Sequence, residues 1–304
     1  MNPCVSVIIP NYNHAPYLKE RIESILAQDY QDFELILLDD CSTDSSREVL
    51  KEYENHPRVS HVIFNDHNNG SPFIQWKKGM SLAKGEYIWV AESDDVADCQ
   101  LLGALVREME KCRNTVIAFA HSRLIDKSNN HLSYGWHEED TGDVLVCDGK
   151  QFVMEKMLTS NYIYNASMAI FRKSAYLLID TKFDHYSYCG DWVFWIELCL
   201  KGDVVEVCRV LNSYRQHKGQ ATQQSLKSGG KWVETGYVLK RAADLLNLSD
   251  VKRRYLRGRY TKRFAKEEVP NRSEILKLHN DIFGGSSMDI CYYEIGKMWN
   301  FLRI

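Results

Sequence analysis

The chain has 304 residues, of which 44% are apolar and 26% charged, and its formal net charge is −3 at pH 7. That length supports a large core, and the near-neutral balance excludes a molecule drawn as a whole to nucleic acid or to a membrane. No apolar run approaches the ~20 residues of a membrane-spanning helix, and the nine scattered cysteines include no Cys-x-x-Cys pair that would support a zinc ribbon or a thioredoxin-like site.

Val5–Ile9 is a short β-branched run stopped by Pro10 and predicts a buried strand. Leu18, Ile22, Ile25 and Leu26 follow at helical spacing. Glu34–Leu38 predicts a second buried strand that ends at Asp39-Asp40. The polar turn Ser42–Ser45 can cap a helix carrying Val49, Leu50 and Tyr53. Val59–Phe64, Tyr87–Ala91 and Val116–Ala120 predict further strands, with a helix near Leu101–Cys112 between the last two. This alternation places the chain in the α/β class, as a mainly parallel sheet flanked by helices on both faces. Ser128–Thr159 is polar and irregular, with a helix around Phe152–Leu158. Ala169–Phe171 and Val204–Tyr214 predict strands, and Asp191 introduces the apolar helix Trp192–Leu200. From about Lys231 onward the pattern is helical and more basic.

In a parallel sheet, ligands bind beyond the carboxyl ends of the strands. Three predicted strand ends carry polar clusters: Asn11-Tyr12-Asn13, Asp39-Asp40 and Glu92-Ser93-Asp94-Asp95. Parallel strands bring all three to one edge. Crowded carboxylates repel, and a divalent cation between them relieves the repulsion; hard oxygen ligands suit Mg²⁺ or Mn²⁺. The competing reading is that Asp94 or Asp95 caps the helix that follows.

Together these segments resemble the family 2 glycosyltransferases, which bind nucleotide-diphospho-sugars on a Rossmann-like GT-A fold. The resemblance is carried by VSVIIPNYN at residues 5–13, LILLDDCS at 35–42, and AKGEY at 83–87 leading into Glu92–Asp95, and covers roughly residues 4–220. It implies a GT-A domain over residues 1–225. Residues 226–304 remain as a helical C-terminal extension, free for acceptor, membrane or oligomer contact. By the same resemblance Pro10 and Tyr12 flank the base, and Asp39 accepts a base N–H of the kind uracil offers. Glu92 stands where the family usually has an Asp and faces the ribose or a metal-bound water. Asp94 is the direct ligand of Mn²⁺ or Mg²⁺, and Asp95 holds the loop. Asn13, Asp40 and Ser42 support this pocket. The chain has Trp76-Lys77-Lys78 where many members have an Arg-Asn pair. Lys78 either offsets phosphate charge or belongs to a solvated helix face.

Sugar transfer needs a carboxylate base for the acceptor hydroxyl and cationic support for the leaving diphosphate. In Tyr188-Cys189-Gly190-Asp191-Trp192, Asp191 matches the family's base position, and Gly190 replaces the acid that usually precedes it. The alternative is a simple helix cap. Trp192 and Trp195 offer a platform for an acceptor sugar. Tyr214–Gly219 resembles a segment that closes over the diphosphate, with His217 on metal or phosphate and Arg215 on phosphate. The implied reaction is a single displacement with inversion, from a UDP-linked donor to a hydroxyl of a glycan or lipid-linked saccharide. A catalytically inactive sugar-nucleotide binding module and a sugar-phosphate nucleotidyltransferase are the alternatives.

Residues 252–266 contain eight Lys or Arg and no acid, with Leu256, Tyr260 and Phe264 along one helical line. They read either as a peripheral contact with an anionic inner-membrane surface or as a helix packed on the domain. No nucleic-acid module accompanies the charge. The odd cysteine count and a start without a signal peptide predict a cytoplasmic protein with reduced thiols, most of them small core residues.

Overall fold

A computed structural model describes residues 3–135, 137, 140–217, 229–269, 271–283, 285 and 288–299. Its strands are β1 (Val5–Asn11), β2 (Phe33–Asp39), β3 (Val59–Phe64), β4 (Tyr87–Val90), β5 (Val96–Ala97), β6 (Thr115–Ile125), β7 (His131–Ser133), β8 (Val144–Asp148), β9 (Ala169–Arg172) and β10 (Asp203–Arg215). They form one sheet in the order β3-β2-β1-β4-β9-β6-β10-β5, with β7 on β6 and β8 on β10. β3, β2, β1 and β4 pair in parallel. β9 then runs antiparallel to both β4 and β6, and β10 is parallel to β6. Six strands therefore share one direction, and the short β9 is inserted among them.

The helices between the strands are α1 (Ala15–Leu26), α2 (Ser46–Lys51), α3 (Pro72–Leu82), α4 (Leu101–Lys111), α5 (Gly149–Phe152), α6 (Lys173–Tyr176) and α7 (Gly190–Cys199). A π-helical turn, Val153–Met157, continues α5. The strands alternate their side chains between two cores, as pleating demands. Val5, Val7, Ile9, Leu35, Leu37 and Trp89 face one side, against α1 and α4. Ile8, Ile36, Leu38, Ile88 and Val90 face the other, against α3 and α7. Both faces are covered, which is why these strands read as continuous apolar runs.

The expected boundary between residues 225 and 226 lies outside the described residues. Four further helices follow among the described residues, Gly230–Leu245, Asp250–Phe264, Arg272–Phe283 and Asp289–Trp299. Trp232, Val238, Leu239, Leu256, Tyr260 and Phe264 join the α3/α7 core. The apolar line of the basic helix is thus turned inward. Several of its charges are also engaged: Arg257 pairs with Asp289 at 3.2 Å, Arg253 donates to Leu248 O and Asp244, and Lys262 pairs with Glu294. Packing on the domain is therefore the reading this helix follows. No helix among the described residues is long and apolar enough to cross a membrane.

All nine cysteines carry free thiols; Cys189, Cys199 and Cys208 are buried, and Cys4 and Cys147 pack partly buried against the two cores. Cys99, Cys112 and Cys291 are exposed.

Phe264 is fully buried, from a helix that sequence pattern alone leaves free to pack elsewhere. Phe264→Ala should cost about 3–5 kcal/mol of unfolding free energy, measured by chemical denaturation, if the extension and the sheet share one core as described.

Candidate active site

The parallel register sets Asn11 beside Asp39 and Ile8 beside Val90, so the chain leaves β1, β2 and β4 at one edge. There a cleft of about 420 Å³ opens. It is lined by Pro10, Asn11 and Tyr12 at the end of β1, by Glu92, Ser93 and Asp94 after β4, and by Tyr188, Asp191 and Tyr214. A larger hollow of about 550 Å³, lined by Asp32, Lys84, Glu86 and Lys173, lies at the opposite edge, away from the polar strand ends.

The loops after β1 and β2 are locked to each other. Asn13 and Cys41 take left-handed backbone angles, φ 56° and 62°. Asn11 Nδ2 donates to Asp39 Oδ1 at 3.0 Å and to Ser42 Oγ at 3.2 Å. Asn13 N donates to Ser42 Oγ at 2.9 Å, and Asn13 Oδ1 accepts from Thr43 N at 2.8 Å. Asp39 also accepts from Ser42 N at 3.0 Å and pairs with Arg47 at 3.1 Å. It is fully buried and stands behind the cleft wall. Asp40 is the acid that lines the wall. It accepts from Asn65 Nδ2, Asn69 Nδ2 and Gln75 Nε2, each at 2.7 Å, and so fixes the segment that leads into α3. Lys78 lies outside the cleft lining, with Nζ donating to Asn65 Oδ1, and Lys77 pairs with Asp184 at 2.7 Å. The phosphate role expected for Lys78 is corrected accordingly: its ammonium is drawn to the Asn65 carbonyl.

The acids after β4 are not helix caps. α4 begins at Leu101 with Gln100 as its N-cap residue, beyond the intervening β5. Each acid instead has its own environment. Asp95 is fully buried and accepts from Ser167 Oγ at 2.6 Å, Asn165 Nδ2 at 2.8 Å and Arg215 N at 3.0 Å. Burial, then the neighbouring Asp94 charge, pushes its pKa up to about 6. Glu92 accepts from Trp76 Nε1 at 2.9 Å. Burial, then Asp94 and Asp95, pushes its pKa up to about 8. For Asp94 burial acts upward as well, but the hydrogen bond from His217 and the charge of His14 outweigh it and hold the pKa below the ordinary value. Beneath the cluster lies Arg21 of α1, fully buried over the Trp89 ring at 5.1 Å. Burial lowers its pKa to about 10, while the charges of Asp95, Glu92 and Asp94 favour its cationic form.

His217 Nε2 lies 2.9 Å from Asp94 Oδ2. His14, Asp94 and His217 each present one ligand atom, all within 4.8 Å of one another. One carboxylate oxygen and two imidazole nitrogens fit a divalent transition cation. Burial lowers the pKa of His14, which favours the neutral, ligating imidazole. His14 Nδ1 is also held 2.8 Å from Ser93 Oγ. Sequence reasoning missed His14: a lone histidine just after Asn13 has no ligand spacing, and its partners lie far along the chain.

Asp191 is in the first turn of α7 and lines the cleft. Its carboxylate accepts from Asn161 Nδ2 and Trp192 N, each at 2.8 Å. Burial pushes its pKa up to about 7. Gly190 has no room for the acid that it replaces, because a Cβ there would stand 2.4 Å from Phe183 O and 2.6 Å from Phe73 Cδ2.

Two expectations on this side are corrected. Trp192 and Trp195 are buried core residues, with Trp192 Nε1 donating to Met157 O at 2.9 Å, so they form no acceptor platform. α7 is apolar all round because other elements cover it. The aromatic cleft wall is Tyr164, Tyr188 and Tyr214. Arg215 is buried and turned into the protein, where it pairs with Glu20 at 2.8 Å and donates to Asp94 O at 2.6 Å. It braces the acidic turn after β4 rather than lining the cleft. Lys218 and Gly219 lie outside the described residues.

Three comparisons bear on this site. The family model described as "Glycosyl transferase family 2" matches residues 6–177. Glycosyltransferase GlyG of Streptococcus pneumoniae serotype 4 is 34% identical over 161 residues, which span 52% of this chain and 48% of that protein. The GalNAc(5)-diNAcBac-PP-undecaprenol beta-1,3-glucosyltransferase of Campylobacter jejuni is 29% identical over 241 residues, 78% of this chain and 72% of that one. The solved structure of S. aureus TarS 1-349 in complex with UDP-GlcNAc superposes with a TM-score of 0.66 over 99% of this chain and 92% of that one. At 17% identity that likeness is one of fold.

The raised pKa of Asp191 has a consequence for stability. The folded state holds this proton more tightly than the unfolded chain, so the stability it confers is present at acid pH and is lost as pH rises through about 7. Asp191→Asn removes the buried charge. Its melting temperature should exceed wild type by a few degrees at pH 8 and match it near pH 4, read from thermal melts at both values.

Proposed function

The chain belongs to glycosyl transferase family 2, and from that membership we propose that it moves a sugar from a UDP-linked donor to a hydroxyl of a glycan or lipid-linked saccharide, with inversion at the anomeric carbon. The observation that carries the reading is that Asp94 and His14 line the same cleft as Pro10, Tyr12 and Asp191, with His217 grouped beside them. Support for the donor class comes from the TarS fold neighbour, solved with UDP-GlcNAc. For the acceptor class, support comes from the C. jejuni relative, whose name carries a diphosphate-linked undecaprenol saccharide.

Tyr12 is 45% exposed and free to stack on a base, with Pro10 as its neighbour in the wall. Asn13, Ser42 and Asp39 hold that loop in place, and Asp40 sets the opposite segment. Asp94, His14 and His217 hold the divalent cation, and two imidazoles beside one carboxylate suit Mn²⁺ better than the oxygen-seeking Mg²⁺. When bound, that cation supplies the positive charge that stabilises a departing diphosphate. Glu92 faces the ribose, and Asp95 braces the loop. Asp191 takes the proton from the acceptor hydroxyl as its oxygen bonds to the anomeric carbon, and the bond from that carbon to the diphosphate oxygen breaks. A carboxylate with a pKa of about 7 is both ionised and appreciably basic near neutrality. The protein works in the cytoplasm and meets the inner face of the membrane through its acceptor.

The reading is tested with a panel of nucleotide sugars, with and without Mn²⁺, scored by thermal shift and slow donor hydrolysis. UDP-sugars should stabilise the protein only when the cation is present, and Asp94→Ala should abolish both effects. Equal stabilisation without the cation overturns the role of Asp94. With an active donor–acceptor pair, kcat/KM should rise through about pH 7. Asp191→Asn should lower kcat by about 10²–10⁴-fold; wild-type turnover by that variant overturns the assignment of the base.

A further inference from the structure

Asp191 is the second residue of α7, and the loop before it determines where its carboxylate points. That loop ends on a single side chain from the C-terminal extension. Glu234 Oε1 accepts from Ser187 N at 2.8 Å, and Glu234 Oε2 accepts from Tyr188 N and Cys189 N, both at 2.8 Å. Cys189, the N-cap residue of α7, makes no side-chain capping bond. The helix start is therefore served from elsewhere, by a carboxylate 45 residues further along the chain. Three charge-assisted hydrogen bonds on one acceptor pair are stronger than neutral ones, and a carboxylate at a helix N-terminus also meets the positive end of the helix dipole.

Glu234 is itself held firmly. It lies in the second turn of the helix Gly230–Leu245, whose Trp232 is buried and accepts through its carbonyl from Tyr260 Oη at 2.5 Å. The extension therefore grips the segment 187–189 from a packed base. Tyr188 of that segment lines the cleft.

We propose that Glu234 is a positioning residue for the proton-accepting carboxylate: by holding three consecutive amides it sets the entry of α7, and with it the aim of Asp191 and the place of Tyr188 on the acceptor wall. The proposal rests on the reading of Asp191 as the base. It makes the extension part of the catalytic apparatus. The donor-binding residues, on the loops after β1, β2 and β4, make no bond to Glu234 among the described residues.

The test uses the full chain, with Glu234→Ala, Glu234→Gln and, as a reference, Asp191→Asn. In Glu234→Ala, kcat for transfer should fall about 10²-fold, the loss expected of a displacement near 1 Å at a reacting group. KM for the donor should stay within about twofold. Glu234→Gln keeps a carbonyl acceptor and should recover part of the turnover. Amide hydrogen exchange at residues 187–189 should speed up in Glu234→Ala while the α1 and β1 amides stay protected. If the alanine variant fails to fold, the glutamine variant carries the same comparison with a smaller loss. Wild-type kcat in the folded variants, or a donor KM that rises as much as kcat falls, overturns the positioning role. Full transfer by Asp191→Asn overturns the underlying reading of the base; its loss of transfer alongside full turnover in Glu234→Ala overturns only the proposal made here.

Discussion

Three carboxylates within four residues at the end of a buried strand repel one another, and the architecture of the site follows from the ways in which that repulsion is met. Asp95 is given three donors, from Ser167, Asn165 and the Arg215 backbone. Asp94 is set against two imidazoles. Glu92 receives the indole N–H of Trp76 and holds its proton to about pH 8. Arg21 lies beneath them, a buried guanidinium over the Trp89 ring. These partners arrive from α1, α3, β10 and the approach to β9. Satisfying one acidic turn thus ties together elements that span most of the described chain.

Much of this was readable from local pattern. β1, β2 and β4 are covered on both faces, so their apolar runs have no competing interpretation, and parallel pairing sends their polar ends to one edge. Leu256, Tyr260 and Phe264 announced an apolar line, and the structure buries it. The misreadings share one physical origin, which is that a side chain's partner is invisible when it lies far away in sequence. Trp192 and Trp195 read as a sugar platform in sequence, but they meet Met157 and Trp76 of α3 in the core. Lys78 looked available to phosphate, yet its reach ends on Asn65. Of the two acids Asp39 and Asp40, the fold turns the first to Arg47 and the second to the cleft wall, and no pattern in an Asp-Asp pair tells them apart. His14 and Glu234 carried no signal at all, because each matters only through residues brought to it by folding.

The site is also a place of stored cost. Asp191 and Glu92 both sit where burial disfavours their charged forms. Residues chosen for stability alone would be neutral there. An acid titrating near neutral pH at Asp191 fits a site that trades the last increment of stability for chemistry. Gly190 belongs to the same compromise: the close approach of Phe183 and Phe73 leaves space for backbone alone, and Asp191 is supported instead by Asn161.

The antiparallel β9 matters for how the chain is made. It separates β4 from β6, so both strands leave the ribosome before the strand that joins them. A nascent chain released through Ile125 holds the fragment β3-β2-β1-β4 and the lone strand β6, whose edges expose unpaired backbone groups and apolar side chains. Only when Ala169–Arg172 emerges can β6 be joined to that fragment, and the turn just before it brings Asn165 and Ser167 to Asp95. Joining β4 to β6 and the first donors to Asp95 therefore arrive together, while Arg215 and His217 follow with β10, and the interval before β9 is when an unfinished chain most needs protection from its neighbours.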